Sequence, residues 1–475
     1  MLFPTITFAI FVMVVLPISW LLLPGSQRWK IFMLAASYYF YGYWNWRFVG
    51  LLVLSTLVNQ GLTKWLHRTE QEAARKGIVM LAVAANISLL AYFKYRGFFV
   101  DSASDLLNDI GLDVSPQIVS LTLPVGISFF TFQALSYVLD VYRRSFDPVR
   151  TIDFAVYLSF FPHVVAGPIV RAAEFIPQLW QRHDPRKIDA SRAFFLIFGG
   201  LFKKVVLANF LGVEIVDNVF GTPKQFSALE ILVGIYAYAV QIYCDFSGYT
   251  DIAIGIALLL GFRFPQNFDA PYTSVSIQDF WRRWHMTLSR WLRDYLYIPL
   301  GGNRGTSVAT YRNLMLTMVL GGLWHGAAWT FVAWGAIHGG ALCVEHARRE
   351  HRIRNNLPEP KDTRGRRFWQ RFVTFQIVCL GWVFFRSDSF DTAWTILTRL
   401  VTAWSLDNSA IKLSILLALA VGIGTQYLPA PAIGRFMAQF SRLTPVMQGL
   451  ALGFVLLFID VLGPQGVAPF IYFQF

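Results

Sequence analysis

Among the eight histidines of this 475-residue chain, one stands where an imidazole is expensive to keep. His325 lies in Leu-Trp-His-Gly-Ala-Ala-Trp (323–329), between two apolar runs. Ionisable side chains at membrane depth are costly and mark functional sites by default. Imidazole is the side chain best suited to taking a hydroxyl proton near neutral pH. Gly321, Gly322 and Gly326 let backbone or substrate come close, and Trp324 and Trp329 are placed to wall a pocket. The competing use is a structural histidine satisfied by a neighbouring helix, and spacing alone leaves the two level.

His285 is the second candidate, in Phe-Trp-Arg-Arg-Trp-His-Met-Thr-Leu-Ser (280–289). Arg282, Arg283, Arg290 and Arg293 around it suit the phosphates of an inner-face ligand. They equally suit a snorkelling interfacial helix whose arginines meet lipid phosphate. His338 is 13 residues beyond His325, roughly 20 Å along a helix, too far to share a reacting atom. His163, in Phe-Pro-His-Val-Val, reads first as structural and second as a cavity-lining group. Lys203 and Lys204 sit in an apolar run, and a buried lysine needs a carboxylate. Asp245 and Asp251 are the expected partners. The three cysteines, Cys244, Cys343 and Cys379, are far apart and imply neither a disulfide framework nor a metal site. No P-loop, GxGxxG, nucleophile elbow or HExxH is present.

Elements must hold these groups, and composition says which kind. The chain is 55% hydrophobic and only 15% charged, against about 25% charged residues in soluble domains. That excludes a soluble globule or a disordered chain and leaves a multi-pass, all-α membrane protein. Candidate spans are 2–24, 30–44, 47–63, 77–94, 119–141, 193–214, 227–246, 307–323, 327–345, 371–386, 410–428 and 446–463. Residues 153–167, 249–262 and 275–300 fit no simple span and are expected to be re-entrant or interfacial. Residues 1–475 therefore read as one integral-membrane domain of about twelve spans.

The net charge of +13 is carried in short loops, a positive-inside pattern and not a nucleic-acid stripe. Arg28 and Lys30 follow the first span, and 346–371 holds nine Lys/Arg against three carboxylates. These stretches are expected inside. The loop 97–117, with Asp101, Asp105, Asp109 and Asp113, is expected outside, as are both termini.

Seven motifs in order give the chain a resemblance. They are Leu-Pro-Val-Gly-Ile-Ser-Phe-Phe-Thr-Phe-Gln (123–133), Phe-Phe-Pro-His-Val-Val-Ala-Gly-Pro-Ile (160–169), Gly-Leu-Phe-Lys-Lys (200–204), Tyr-Cys-Asp-Phe-Ser-Gly-Tyr-Thr-Asp (243–251), Phe-Trp-Arg-Arg-Trp-His (280–285), Tyr-Ile-Pro-Leu-Gly-Gly-Asn-Arg (297–304) and Leu-Trp-His-Gly (323–326). With them the chain resembles the membrane-bound O-acyltransferase family, in its bacterial alginate O-acetylase-like branch. The resemblance implies a ring of tilted transmembrane helices around a central funnel or tunnel, in the bacterial inner membrane. It implies an acetyl group taken from cytoplasmic acetyl-CoA for an extracytoplasmic polysaccharide such as alginate, directly or through an outer acetyltransferase partner. His325 becomes the catalytic base and His285 a supporting polar position, with Arg282 and Arg283 on the acetyl-CoA phosphates. No metal and no permanently bound cofactor is implied. Transfer of D-alanine from a carrier-protein thioester to teichoic acid, and a transporter or channel, remain as alternatives.

The chain ends Pro-Phe-Ile-Tyr-Phe-Gln-Phe (469–475). Chain ends usually fray and are polar, so an aromatic end is odd unless it is bound in something apolar. Interfacial anchoring by aromatics is the plain use. Similar tails in polysaccharide and teichoic-acid acylation systems imply a sharper one, with Tyr472 as an acyl relay beside His325.

Overall fold

In lipid every backbone polar group needs an internal partner, so apolar runs broken by short polar stretches fold as helices. A computed structural model describes residues 1–114, 122–405, 407–464 and 470, and every regular element among them is helical. Helices α1 (Ile6–Leu21), α2 (Gln27–Gly42), α3 (Arg47–Arg68) and α4 (Glu72–Asp109) lead to α5 (Ile127–Tyr142). The short α6 (Thr151–Ser159) precedes a long pair, α7 (Ala190–Gly221) and α8 (Ala228–Leu259). Two seven-residue helices follow, α9 (Ile277–Arg283) and α10 (Met286–Leu292). Then come α11 (Ser307–His325), α12 (Trp329–Arg354) and α13 (Arg364–Arg386). Helices α14 (Phe390–Thr402), α15 (Leu413–Gly424), α16 (Ala430–Ser441) and α17 (Pro445–Leu462) come last.

Among the described residues, α4, α7, α8, α13 and α17 are long and apolar enough to cross a membrane. The bent pair α15–α16 makes a sixth if its 96° turn belongs to one broken span. The protein is an all-α polytopic membrane protein.

Three segments differ from the sequence-based reading. Residues 249–259 are not a separate re-entrant piece but the last turns of α8. The polar run that looked like a break is absorbed: Thr250 donates back to the Phe246 carbonyl at 2.6 Å, and Asp251 meets a lysine. Residues 97–109 are not loop but the C-terminal end of α4, and Asp101, Asp105 and Asp109 share one exposed face at four-residue spacing. Lys30 is not a loop cation. It is buried in the first turn of α2, 2.7 Å from the buried Asp153 of α6. Residues 275–300 form no continuous helix, and α9 and α10 meet at a turn on His285.

Helices α7 and α8 cross where both lack side chains. A Cβ on Gly248 would lie 2.7 Å from the Gly200 carbonyl oxygen, so only glycine lets these backbones meet. The expected ion pairs form beside this crossing. Lys203 lies 2.5 Å from Asp251, and Lys204 pairs with Asp245. Residues 202–209 are π-helical, a widened turn that lets both neighbouring lysines reach α8.

Removing one partner of a buried ion pair leaves an uncompensated charge. Asp153→Ala is therefore expected to lower stability by about 3 kcal/mol, seen as a fall in the detergent thermal midpoint. The exposed Asp362–Arg367 pair is the control, and Asp362→Ala should leave that midpoint where it was. Equal midpoints for the two variants would refute the buried role of Asp153.

Candidate active site

Helix α11 stops at His325 because Gly326 is extended, at φ −157° and ψ 151°. The imidazole is 3% exposed and lies edge-on to three rings. Trp324 and Trp334 are 5.0 Å away centroid to centroid, and Phe385 is 5.3 Å away. Trp334 belongs to α12 and Phe385 to α13. Trp329, expected in this wall, is 56% exposed instead. It packs on Phe98 and donates to the Ser102 hydroxyl at 3.2 Å.

The last carbonyls of α11 are held from outside. Tyr95 donates its hydroxyl to the Leu323 oxygen at 2.8 Å. Lys94 donates to the Trp324 oxygen at 2.7 Å and to the His325 oxygen at 2.9 Å. Both donors come from a π-helical turn of α4, Ala91–Tyr95.

His285 is fully buried at the α9–α10 turn, in the left-handed region with φ 41°. Such a conformation in a non-glycine residue persists only where its surroundings over-determine it. The surroundings here centre on Asn267. Its side-chain oxygen accepts from His285 Nδ1 at 3.1 Å, from the Thr287 amide at 3.2 Å and from the Thr287 hydroxyl at 2.8 Å. That fixes the proton on Nδ1 and leaves Nε2 an acceptor without a partner among the described residues. The Trp324 indole is near both imidazoles, 5.0 Å from His325 and 6.2 Å from His285.

His338, expected roughly 20 Å from His325 along a helix, is much nearer, because α11 and α12 fold back on each other and both imidazoles pack on Trp334, at 4.9 and 5.0 Å centroid to centroid. His338 is caged by Phe280, Trp281, Trp334 and Trp382. The Nε2 atom of His163 lies 2.7 Å from the Tyr157 carbonyl oxygen, among Phe160, Phe175 and Phe264.

A cavity of about 450 Å³ opens between the α9–α10 segment and α11. Arg282, Arg290, Arg293, Thr317 and Met318 are among its walls. Arg290 meets Glu174 at 3.1 Å and Arg293 meets Asp294 at 2.7 Å. Arg282 has no ion-pair partner among the described residues. Arg283 is not in the wall: it holds Asp279 at 2.9 Å and Asp269 at 3.6 Å. Met318 is seven residues before His325, roughly 10 Å along the same helix. One rigid element thus joins an arginine-lined chamber to an imidazole shielded by aromatic rings.

Comparison with known proteins gives the chain a family. The family model for membrane-bound O-acyltransferases matches residues 38–385. The chain belongs to the membrane-bound O-acyltransferase family. It is 37% identical to the probable alginate O-acetylase AlgI of Azotobacter vinelandii, over 95% of each chain. It is 36% identical to the peptidoglycan O-acetyltransferase of Helicobacter pylori, over 78% of this chain and 73% of that one. The teichoic acid D-alanyltransferase of Streptococcus thermophilus is 28% identical over 63% of this chain. This membrane-bound O-acyltransferase is an enzyme of acyl transfer, with His325 on the family-matched part of the chain. Tyr472 lies outside the described residues. Sequence reading missed Asn267, Lys94, Tyr95, Trp334 and Phe385. Lys94 alone carried a signal, as a cation at the end of an apolar run.

Proposed function

We propose that this O-acyltransferase takes acetyl from acetyl-CoA on the cytoplasmic side and sends it to O-acetylation of an extracytoplasmic polysaccharide. The observation that carries this is the arginine-lined cavity whose α11 wall runs on to His325. The basic stretch 346–371 spans the last turns of α12 and the first of α13, and Leu342 of α12 lines the same cavity, so the charge bias supports a chamber on the inner side. Both termini are then outside.

In the reaction His325 takes the proton of the attacking hydroxyl, and the oxygen adds to the thioester carbonyl. The tetrahedral intermediate collapses, the C–S bond breaks, and the proton passes to the sulfur. The bare Nε2 of His285 is positioned to accept a hydrogen bond from a bound group. Tyr472 is the first hydroxyl acylated in this scheme, and the acetyl then passes outward, to sugar or to an outer acetyltransferase. The phenol of Tyr472, with pKa about 10, is a better leaving group than a sugar alcohol. Phe470, two residues earlier, is 1% exposed and packs on Phe246 and Tyr249. Phe246 in turn lies 4.7 Å from His285. This supports a C-terminal segment that passes close to His285 at Phe470.

Purified enzyme offered acetyl-CoA or a D-alanyl carrier protein tests the donor. Acetyl transfer is expected. Transfer of D-alanine alone would move the enzyme to the teichoic-acid branch, and no acyl exchange with either would return the transporter reading.

The two arginines called from sequence should separate kinetically. A charge-assisted hydrogen bond is worth about 1.5–3 kcal/mol, so Arg282→Gln should raise KM for acetyl-CoA roughly tenfold with little change in kcat. Arg283→Gln should leave KM within about twofold, because its charge is spent on Asp279 and Asp269. Equal KM values in the two variants would refute this division.

A further inference from the structure

Lys94 lies within α4, a 38-residue helix apolar enough to span a membrane. A lysine at the centre of such a helix costs about 2.5–3.5 kcal/mol on insertion scales. Three other lysines held in apolar helices away from water, Lys30, Lys203 and Lys204, each have a carboxylate. Among the described residues no carboxylate reaches Lys94. Its partners are two main-chain oxygens at the carboxyl end of α11, where the helix dipole concentrates about half a negative charge.

Three details fit one purpose. Gly326 ends α11 in an extended conformation, so the last carbonyls have no donors of their own helix. Tyr95 and Lys94 supply donors to three consecutive ones, those of Leu323, Trp324 and His325. The π-helical turn Ala91–Tyr95 brings these adjacent residues onto the same target, and π-bulges recur at functional sites. The same helix does this elsewhere as well. Arg75 is buried and donates to the Leu66 and Thr69 oxygens at the end of α3 and to the Tyr142 oxygen at the end of α5.

We propose that Lys94, with Tyr95, is a positioning residue for acyl transfer: its ammonium fixes the last turn of α11 and thereby the His325 imidazole. The proposal rests on His325 as the base. The lysine does not touch the acyl group in this scheme. It acts through main-chain oxygens, and the imidazole is held because its own carbonyl is held. A misplacement of about 1 Å at a reacting group can cost on the order of a hundredfold in rate.

The test uses full-length enzyme in detergent with Lys94→Met, Lys94→Gln, Lys94→Arg and Tyr95→Phe. Lys94→Met, which fills similar space and donates nothing, should lower kcat on the order of a hundredfold with KM for acetyl-CoA within about twofold. Amide hydrogen exchange in residues 321–326 should quicken in the same variant. Lys94→Arg, which keeps charge and donors, should recover most of the rate and protection, with Lys94→Gln between. Tyr95→Phe should lower both by less. If Lys94→Met does not fold, the Gln and Arg pair carries the comparison. Unchanged kcat and unchanged exchange at 321–326 in folded Lys94→Met or Lys94→Gln would overturn the proposal. Quickened exchange in a variant of full activity would also overturn it, leaving Lys94 as an anchor of the turn alone, while His325→Ala tests the base independently.

Discussion

His325→Ala is expected to lower acetyl transfer by at least 10²- to 10⁴-fold, the range a lost general base accounts for. Its fold should survive. The turn that carries His325 is tied through main-chain oxygens to Lys94 and Tyr95, and an alanine keeps those oxygens. The void left by the imidazole borders on Trp324, Trp334 and Phe385, whose large rings can partly close it. The measurement is the rate of label leaving acetyl-CoA for product, beside gel-filtration elution and thermal midpoint. A folded variant turning over within threefold of the native rate would end the general-base mechanism.

Tyr472→Phe should stop delivery to the polysaccharide almost as completely. It keeps an aromatic anchor and removes only the nucleophile. In the relay scheme His325 takes the phenolic proton, Tyr472 oxygen bonds to the acetyl carbon, and the thiol departs with the proton. Native enzyme given labelled acetyl-CoA without acceptor should carry one acetyl on its C-terminal peptide, and Tyr472→Phe should carry none. Phe470→Ala is a useful companion, since Phe470 packs between Phe246 and Tyr249. It should weaken labelling without abolishing it. Full acetylation of polysaccharide by Tyr472→Phe would leave the tail with an anchoring role alone.

What the sequence made legible followed from costs too large to ignore. Two lysines in an apolar run demanded two carboxylates, and Asp245 and Asp251 are their partners. Four arginines between residues 282 and 293 argued against a lipid-facing span, and the segment folds as two short helices about His285. The losses came where a distant element decides. Trp329 and Trp334 are five residues apart, roughly 140° around α12, so only one can face His325. The phase of α12, set by its packing on α11, chose Trp334, which shares a face with His338 four residues on. Residues 249–262 looked like a separate piece because their polar start reads as a break, although α8 runs on through it to Leu259. Asn267 was silent because a loop asparagine has many uses, and only the left-handed turn at His285 shows which one applies.

The pairing of Lys203 with Asp251 and Lys204 with Asp245 has an electrical consequence. A potential of 100 mV does about 2.3 kcal/mol of work on each elementary charge carried across a bilayer. A cation and an anion touching at one depth sense nearly the same voltage, and the two contributions cancel. Four formal charges are thereby packed between α7 and α8 while that part of the protein stays almost blind to the field, so energising or depolarising the cell leaves its stability unaltered.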